Sequence, residues 1–418
     1  MMLLKIRRVA NRKGVINVSG AKNSALPIIC ASLISDGDII LENVPNIVDV
    51  TTLFSILRKL GYNVAFANNR AIIKRKKRTP YKILGEDVKK MRGSYYFMGA
   101  LLSKRKKIMI ANSGGCNLGN RPINYHLEGF KKMGAEIKEE KDITTIKAKE
   151  LCPATITLPF PSVGATINLM LAAIKTKGIT TINNSAKEPE IVDVANFLNS
   201  MGAKVFGAGT SSITINGVEK LTSSHYHIMP DRIEAGTYLI LGAMLDGAEI
   251  NGINGKYLYS LISLLRKSGF HIFASNNQIT IDKEKSPNVI NITIGPYPAF
   301  PTDLGQPLAV LATQIKGTSI IKETIFTNRY SHIKELNKMG AKINVVDNQV
   351  IIDGITKLNN AHLKAYDLRG AASLVLAASL NENYSTIENI HPFLRGYEKP
   401  VEKLANFGIE AQLIRNEN

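Results

Sequence analysis

The chain has 418 residues, 44% of them apolar and 21% charged, which excludes a disordered, collagen-like or coiled-coil protein and leaves room for two or three domains. Its 53 Lys and Arg against 34 Asp and Glu give a formal charge of +19, a field that favours anionic partners without saying which. Cys30, Cys116 and Cys152 are odd in number and far apart, which argues against a disulfide framework and for a reducing compartment; they show no metal-ligand spacing. No apolar run approaches the roughly 18 residues that cross a bilayer, so the sequence reads as soluble and cytoplasmic, with no membrane insertion.

Along the chain one pattern returns. Apolar helical positions, a glycine and an alternating stretch occur at Leu60-Gly61-Tyr62, Met133-Gly134-Ala135, Met201-Gly202-Ala203, Ser268-Gly269-Phe270, Met339-Gly340-Ala341 and Phe407-Gly408-Ile409, about 70 residues apart. Each glycine reads as a helix C-cap feeding a strand. Earlier in each copy lies a helix that is apolar nearly all round and therefore bound for a core, over 25–33, 95–102, 165–173, 235–245, 306–313 and 371–380. Short β-type runs follow at 38–41, 108–110, 179–182 and 319–321. The unit is thus strand, helix, strand, helix, strand, strand, too short for a large core of its own. Three units around shared buried helices make one domain, and six make two. The seam falls near 223–230, where Thr222-Ser223-Ser224 and Pro230 predict a polar, turn-like link.

The buried helices begin near Lys22-Asn23, Arg92-Gly93, Val163-Gly164, Arg232-Ile233, Asp303-Leu304 and Arg369-Gly370. Helix starts offer unpaired N–H groups and a positive dipole end to anions, and four of these six add a cation. Later loops carry Asp49, Cys116 with Arg121, Glu188 with Glu190, Arg329 and Arg395. If the units of a domain share an axis, these groups gather at one end of it. Two such ends facing each other would make a cleft in which Lys22, Arg92, Arg121, Arg329, Arg369 and Arg395 suit phosphates and carboxylates. The loop 113–122, Ser-Gly-Gly-Cys-Asn-Leu-Gly-Asn-Arg-Pro, is the most reactive-looking stretch: glycines free its backbone, and Arg121 would depress the Cys116 thiol pKa. Cys30 and Cys152 read as small buried hydrophobes. Asp303 is either a helix N-cap or a carboxylate base.

Taken together, Gly20-Ala21-Lys22-Asn23, the Cys116 loop ending in Arg121-Pro122, Pro161-Ser162-Val163-Gly164-Ala165-Thr166, Glu188-Pro189-Glu190-Ile191-Val192-Asp193, Pro230-Asp231-Arg232, Phe300-Pro301-Thr302-Asp303, Asn328-Arg329, Asp367-Leu368-Arg369 and Arg395-Gly396-Tyr397-Glu398 resemble the UDP-N-acetylglucosamine 1-carboxyvinyltransferase family, the enolpyruvyl transferases of peptidoglycan synthesis. The resemblance implies a two-domain inside-out α/β barrel of six βαβαββ units, with domains 22–229 and 1–21 plus 230–418, the active site in the cleft between them, and the N-terminal strand crossing to the second domain. It implies transfer of the enolpyruvyl group of phosphoenolpyruvate to the 3'-hydroxyl of UDP-N-acetylglucosamine, with phosphate released and no metal or organic cofactor. Cys116 would protonate C3 and be the thiol alkylated by fosfomycin, while Asp303 would accept the hydroxyl proton. Lys22, Arg121 and Arg395 would hold phosphate, and Arg329 with Arg395 the carboxylate. Arg92, Arg121, Pro122, Ile123, Asn124, Tyr125, Ser162 and Val163 would surround the uridine diphosphate, Asn23, Asp303 and Ile325 the amino sugar, and Arg369 would add to the substrate-binding cations. Glu188 and Glu190 look like hinge or cleft carboxylates.

The sequence departs from the family pattern at Asn124, usually acidic, at Gly305, commonly Gln, at the Gly-Ser-Tyr-Tyr after Arg92, and at Ala100, commonly Pro. These departures fit a secondary copy of the enzyme with altered sugar-nucleotide preference or little activity. The sister transferase acting on shikimate 3-phosphate lacks the Gly114-Gly115-Cys116 loop. A nucleic-acid-binding reading rests on Lys74-Arg75-Lys76-Lys77-Arg78 and Lys104-Arg105-Lys106-Lys107, but no stacking aromatics interleave these runs. The sequence gives no oligomeric state.

Overall fold

The fold is known from a computed structural model that describes residues 2–74, 80–112 and 123–415. The chain forms two compact units. The N-unit takes residues 20–112 and 123–229, and the C-unit takes 2–19 and 230–415.

Each unit contains three four-stranded sheets. In every sheet an edge strand runs parallel to a second strand; in five sheets that strand pairs antiparallel with one arm of a hairpin, and in the sixth with Met2–Arg8, whose other neighbour Ile409–Arg415 lies far along the chain. The N-unit sheets join Ser224–His227 to Ile39–Glu42, Lys82–Ile83 to Lys107–Ala111, and Thr155–Thr157 to Ile179–Asn183. Those of the C-unit join Gly14–Asn17 to Ala248–Asn251, Asn291–Thr293 to Gly317–Lys322, and His362–Lys364 to Ser385–Glu388. A parallel pair needs a crossover connection, and a buried helix supplies it directly in the four sheets built on Lys107–Ala111, Ile179–Asn183, Gly317–Lys322 and Ser385–Glu388.

The six buried helices are α1 (Lys22–Ala31), α2 (Tyr96–Leu102), α3 (Val163–Ala173), α4 (Arg232–Met244), α5 (Thr302–Thr313) and α6 (Leu368–Ala378). Residues 24–31 of α1 and 165–173 of α3 are buried without interruption, as an all-round apolar helix must be. Small residues let these helices approach closely. A Cβ on Gly99 of α2 would run into the Asn168 carbonyl oxygen of α3, and the Gly99 N–H donates to Asn168 Oδ1 (2.8 Å). One apolar cluster fills each unit. Outer helices such as Val48–Lys59 and Ser331–Lys338 each end in a left-handed glycine, here Gly61 and Gly340, the backbone conformation that favours glycine at a helix C-terminus.

The units exchange strands. Gly14–Asn17, just ahead of α1 in sequence, pairs with Ala248–Asn251 of the C-unit, whereas Ser224–His227, just ahead of α4, pairs with Ile39–Glu42 of the N-unit. The polar link expected at 223–230 is therefore largely a strand: its Ser and His side chains belong to an edge, where polar residues are tolerated. The N-terminal strand Met2–Arg8 completes the last C-unit sheet, antiparallel to both Ser385–Glu388 and Ile409–Arg415.

A buried carboxylate pins each crossing on its own side. Glu234 accepts from Ser19 N–H (2.7 Å) and from Lys403 Nζ (2.7 Å) in the C-unit. Asp193 accepts from Tyr226 Oη (2.7 Å) and Met229 N–H (3.3 Å) in the N-unit. Six βαβαββ repeats, three to a unit with helices inside and sheets outside, make the fold an inside-out α/β barrel. No described helix is long and apolar enough to cross a membrane.

Candidate functional site

In the C-unit, the starts of α5 and α6 meet at Asp303. Its Oδ1 accepts from Arg329 Nη2 (2.7 Å) and its Oδ2 from Arg369 Nη2 (2.9 Å). Both arginine side chains are nearly buried, whereas Asp303 keeps 26% of its side-chain exposure. Burial alone would raise the Asp303 pKa, but the charges of Arg369 and Arg329 and their hydrogen bonds outweigh it and hold the carboxylate far below its usual range. Burial would lower Arg369; Asp303 reverses that and raises it.

Asp303 is not the helix cap. Pro301 occupies that position and no side chain caps α5. The capping carboxylates belong to α4 and α6: Asp231 accepts from the N–H groups of Ile233 (2.8 Å) and Glu234 (3.0 Å), and Asp367 from those of Arg369 (3.1 Å) and Gly370 (2.9 Å). An Asp beyond the cap position has its oxygens available for side chains, and here they take two guanidinium groups.

Sequence reasoning missed the supports of this cluster. Arg329 Nη1 donates to Thr302 Oγ1 (2.7 Å), which donates to Glu323 Oε2 (2.6 Å). Glu323 Oε1 accepts from Ile325 N–H (2.7 Å), tying down the backbone of a candidate sugar-side residue. Thr237 spends its hydroxyl proton on Ile233 O (2.8 Å), so Tyr397 Oη donates to Thr237 (2.8 Å) and accepts from Arg369 Nη1 (3.2 Å). Of the supports Thr302, Glu323, Thr237 and Tyr397, only Thr302 and Tyr397 fall in motifs the sequence singles out. Arg395 is half-buried behind the short helix His391–Leu394.

The N-unit gathers a second set. Lys22 Nζ lies 2.9 Å from Asp49 Oδ2, both largely buried, so Lys22 at the start of α1 pairs with Asp49, which was expected in a loop but sits in the first turn of Val48–Lys59. Asn23 is half-buried in the first turn of α1. Arg92 lies in a 3-10 turn, Arg92–Tyr95, leading into α2, a correction to its expected place at an α-helix start. Its guanidinium sits over the Tyr95 ring (5.6 Å), and burial lowers its pKa. At the start of α3, Ser162 Oγ caps Ala165 N–H (3.3 Å), and Ser162 N–H donates to Phe160 O (2.7 Å). That N–H is therefore spent within the chain. Val163, Ile123 and Tyr125 pack on the N-unit core, while Asn124 is exposed at the first turn of Asn124–Lys132.

His126, on that same helix, is buried beside Gly164 and accepts at Nδ1 from Asn168 Nδ2 (2.9 Å). The orientation follows from the Gly99 N–H, which claims Asn168 Oδ1. Burial, helped by the charge of Arg92, lowers the His126 pKa to about 3.

Cys116, Arg121 and Pro122 lie outside the described residues. Cys30 is fully buried, which pushes its thiol well above the usual range. Cys152 is exposed, contrary to its reading as a buried hydrophobe, because it falls in the connection between Ile143–Lys147 and Thr155–Thr157. In the second basic run, Lys104 is engaged by Asp36 (3.2 Å) and Ser35 O (2.8 Å). Among the described residues, no three His, Cys, Asp or Glu side chains gather as a metal ion would require.

Fold and site together describe an α/β protein that arrays carboxylates and guanidinium groups at the starts of buried helices, as a transferase of small anions requires. A family model described as EPSP synthase (3-phosphoshikimate 1-carboxyvinyltransferase) matches residues 6–404. A UDP-N-acetylglucosamine 1-carboxyvinyltransferase of Halothermothrix orenii is 43% identical over 96% of this chain and 97% of its own length. UDP-N-acetylglucosamine 1-carboxyvinyltransferase 2 of Listeria monocytogenes is 42% identical over 95% and 94%. Among solved structures, the enolpyruvyl transferase NikO from Streptomyces tendae shares the fold at a TM-score of 0.90 and 24% identity, over 99% of this chain and 98% of that one. The chain belongs to the UDP-N-acetylglucosamine 1-carboxyvinyltransferase family of enolpyruvyl transferases.

Proposed function

We propose that the protein transfers the enolpyruvyl group of phosphoenolpyruvate to the 3'-hydroxyl of UDP-N-acetylglucosamine, the first committed step of peptidoglycan synthesis in the cytoplasm. The observation that carries this reading is Asp303 held between Arg329 and Arg369, in a chain whose relatives bear that enzyme's name. The sugar hydroxyl adds at C2 while C3 gains a proton. The resulting tetrahedral intermediate loses phosphate from C2 and a proton from C3, which restores the double bond.

Cys116 delivers the C3 proton and Asp303 takes the hydroxyl proton, a step that depends first on heavy-atom reach. A carboxylate so strongly stabilised is a poor base until its arginines are drawn elsewhere. The carboxylate and phosphate of phosphoenolpyruvate do this by competing for the same forks, which raises the proton affinity of Asp303 when substrate is present. Lys22, oriented by Asp49, holds phosphate with Arg121 and Arg395, and Arg329 with Arg395 holds the carboxylate. Arg92, residues 121–125 and the start of α3 take the uridine diphosphate, with Asn23 and Ile325 toward the amino sugar. Fixed cations in a drier site stabilise the charge that develops on leaving phosphate.

Phosphate release from phosphoenolpyruvate, measured with and without UDP-N-acetylglucosamine and again with shikimate 3-phosphate, tests the reading. Release that depends on the nucleotide sugar is expected. Release with shikimate 3-phosphate alone would overturn it.

A further inference from the structure

Arg329 is oriented from the opposite side by a chain of hydrogen bonds in which each polarity is fixed by the one before. Gln306, on α5, accepts at Oε1 from Arg329 Nε (3.4 Å) and donates from Nε2 to Arg329 O (3.3 Å). With the amide so placed, its second N–H faces His332 Nδ1 at 3.1 Å, and Nδ1 must be the acceptor. His332 is then the neutral tautomer with its proton on Nε2. Its ring is 3% exposed, and Nε2 has no hydrogen-bond partner among the described residues. His332 lines a small cavity with Ile294, Gly305, Glu323, Arg329 and Tyr330, and Tyr330 Oη is likewise unpartnered among the described residues. His332 is thus tied to the protein chiefly through Gln306. The N-unit repeats the device with Asn168 and His126 (2.9 Å), where Gly99 rather than an arginine fixes the amide.

We propose that Gln306 and His332 are positioning residues for enolpyruvyl transfer: the imidazole locks the Gln306 amide in the one orientation that holds Arg329 in reach of both Asp303 and the substrate carboxylate. Turning the amide over would set Nε2 against the Arg329 Nε–H and Oε1 against the Arg329 carbonyl, two repulsions in place of two attractions. A proton on His332 Nδ1 would force that turn, and burial opposes it by lowering the His332 pKa to about 4. A guanidinium that wanders by about 1 Å costs on the order of a hundredfold in rate when it orients a reacting group.

The proposal rests on the assigned substrate pair, and its test separates the two. Steady-state phosphate release and 15N NMR of histidine-labelled protein are measured for the wild type and for Gln306→Leu, His332→Phe and His332→Asn, each checked for folding by circular dichroism. The expected result is a rise of about tenfold or more in KM for phosphoenolpyruvate in Gln306→Leu and His332→Phe, with KM for the nucleotide sugar within about twofold. In His332→Asn, whose Oδ1 accepts where Nδ1 did, most of the loss is restored. The wild-type spectrum shows two buried Nε2–H neutral tautomers, those of His126 and His332, and in Gln306→Leu only that of His332 loses its fixed form. Equal KM values in folded Gln306→Leu and wild type, or His332→Asn no better than His332→Phe, overturns the positioning role. A wild type without turnover defeats the substrate assignment instead, and the tautomer spectrum still decides whether Gln306 governs His332.

Discussion

Arg329 Nη2 and Asp303 Oδ1 lie 2.7 Å apart, joining the first turn of α5 to the loop ahead of Ser331–Lys338. The pair recurs with Arg369 on the other carboxylate oxygen. One aspartate is therefore the counter-ion shared by two nearly buried cations, and its removal acts on both turnover and stability.

Asp303→Asn is expected to lower kcat by about a hundredfold or more, the scale of a lost general base, in protein that still folds. It removes the carboxylate paired with both Arg329 and Arg369, leaving Arg369 the charge of Asp231. Fully buried pairs lose about 3–5 kcal/mol when broken, and the partial exposure of Asp303 reduces this to roughly 1–3 kcal/mol. Phosphate release and the urea midpoint measure the two effects independently. A variant as active as wild type removes Asp303 from the chemistry.

Cys116→Asp is expected to keep proton donation and phosphate release while abolishing time-dependent inactivation by fosfomycin, because a carboxylic acid donates a proton but is a far weaker nucleophile than a thiolate. Pre-incubation with the epoxide followed by dilution and assay checks it. Inactivation that persists in the variant assigns the alkylated group elsewhere.

His126 and His332 make stability depend on pH. Both are held neutral in the folded state, with pKa values lowered to about 3 and about 4, whereas in an unfolded chain a histidine titrates near 6.5. Above that value neither state binds the extra proton and nothing is lost. Below it the unfolded chain binds protons the folded protein refuses, so stability falls as the pH drops toward about 4. Urea midpoints at pH 7, 6 and 5 are expected to fall, and to fall less steeply in His126→Asn with His332→Asn. An identical slope in that double variant would place the acid sensitivity on other groups.

Gly99→Ala puts a methyl group where α2 meets the Asn168 backbone of α3. Overpacking of this kind costs ~1–3 kcal/mol, and it disturbs the amide that fixes His126. A lower melting temperature is expected, with the NMR signal of His126 shifted. An unchanged melting temperature would mean that the two helices separate without cost.

The repeat was legible because it rests on local chemistry. Gly61, Gly134, Gly202, Gly269, Gly340 and Gly408 all have positive φ, a conformation that marks itself in sequence wherever a helix ends. Buried helices were equally plain from their composition. Local chemistry hid the strand exchange, since Gly14–Asn17 and Ser224–His227 each sit where an ordinary first strand of the next repeat belongs and nothing local says which sheet accepts them; only the family resemblance implied that the N-terminal strand crosses. The cap positions of Asp231 and Asp367 were hidden for a related reason: an aspartate beside a helix start reads alike one residue earlier or later, and only the backbone decides. Gln306, His332, Asn168 and His126 carry no signal of their own in the sequence, because the partner that gives each amide its meaning lies far along the chain.

The strand Met2–Arg8 lies between Ser385–Glu388 and Ile409–Arg415, so it is synthesised long before either strand it pairs with. At about 5–20 residues per second it waits tens of seconds for its neighbours. The strands of the N-unit all come from within residues 39–227, and that half of the protein can close while the rest is still being made. Lys5, Arg7 and Arg8 place charge along the waiting strand, the feature by which edges avoid pairing with strangers. Nascent chains released early would thus carry one finished half and one unmatched ribbon.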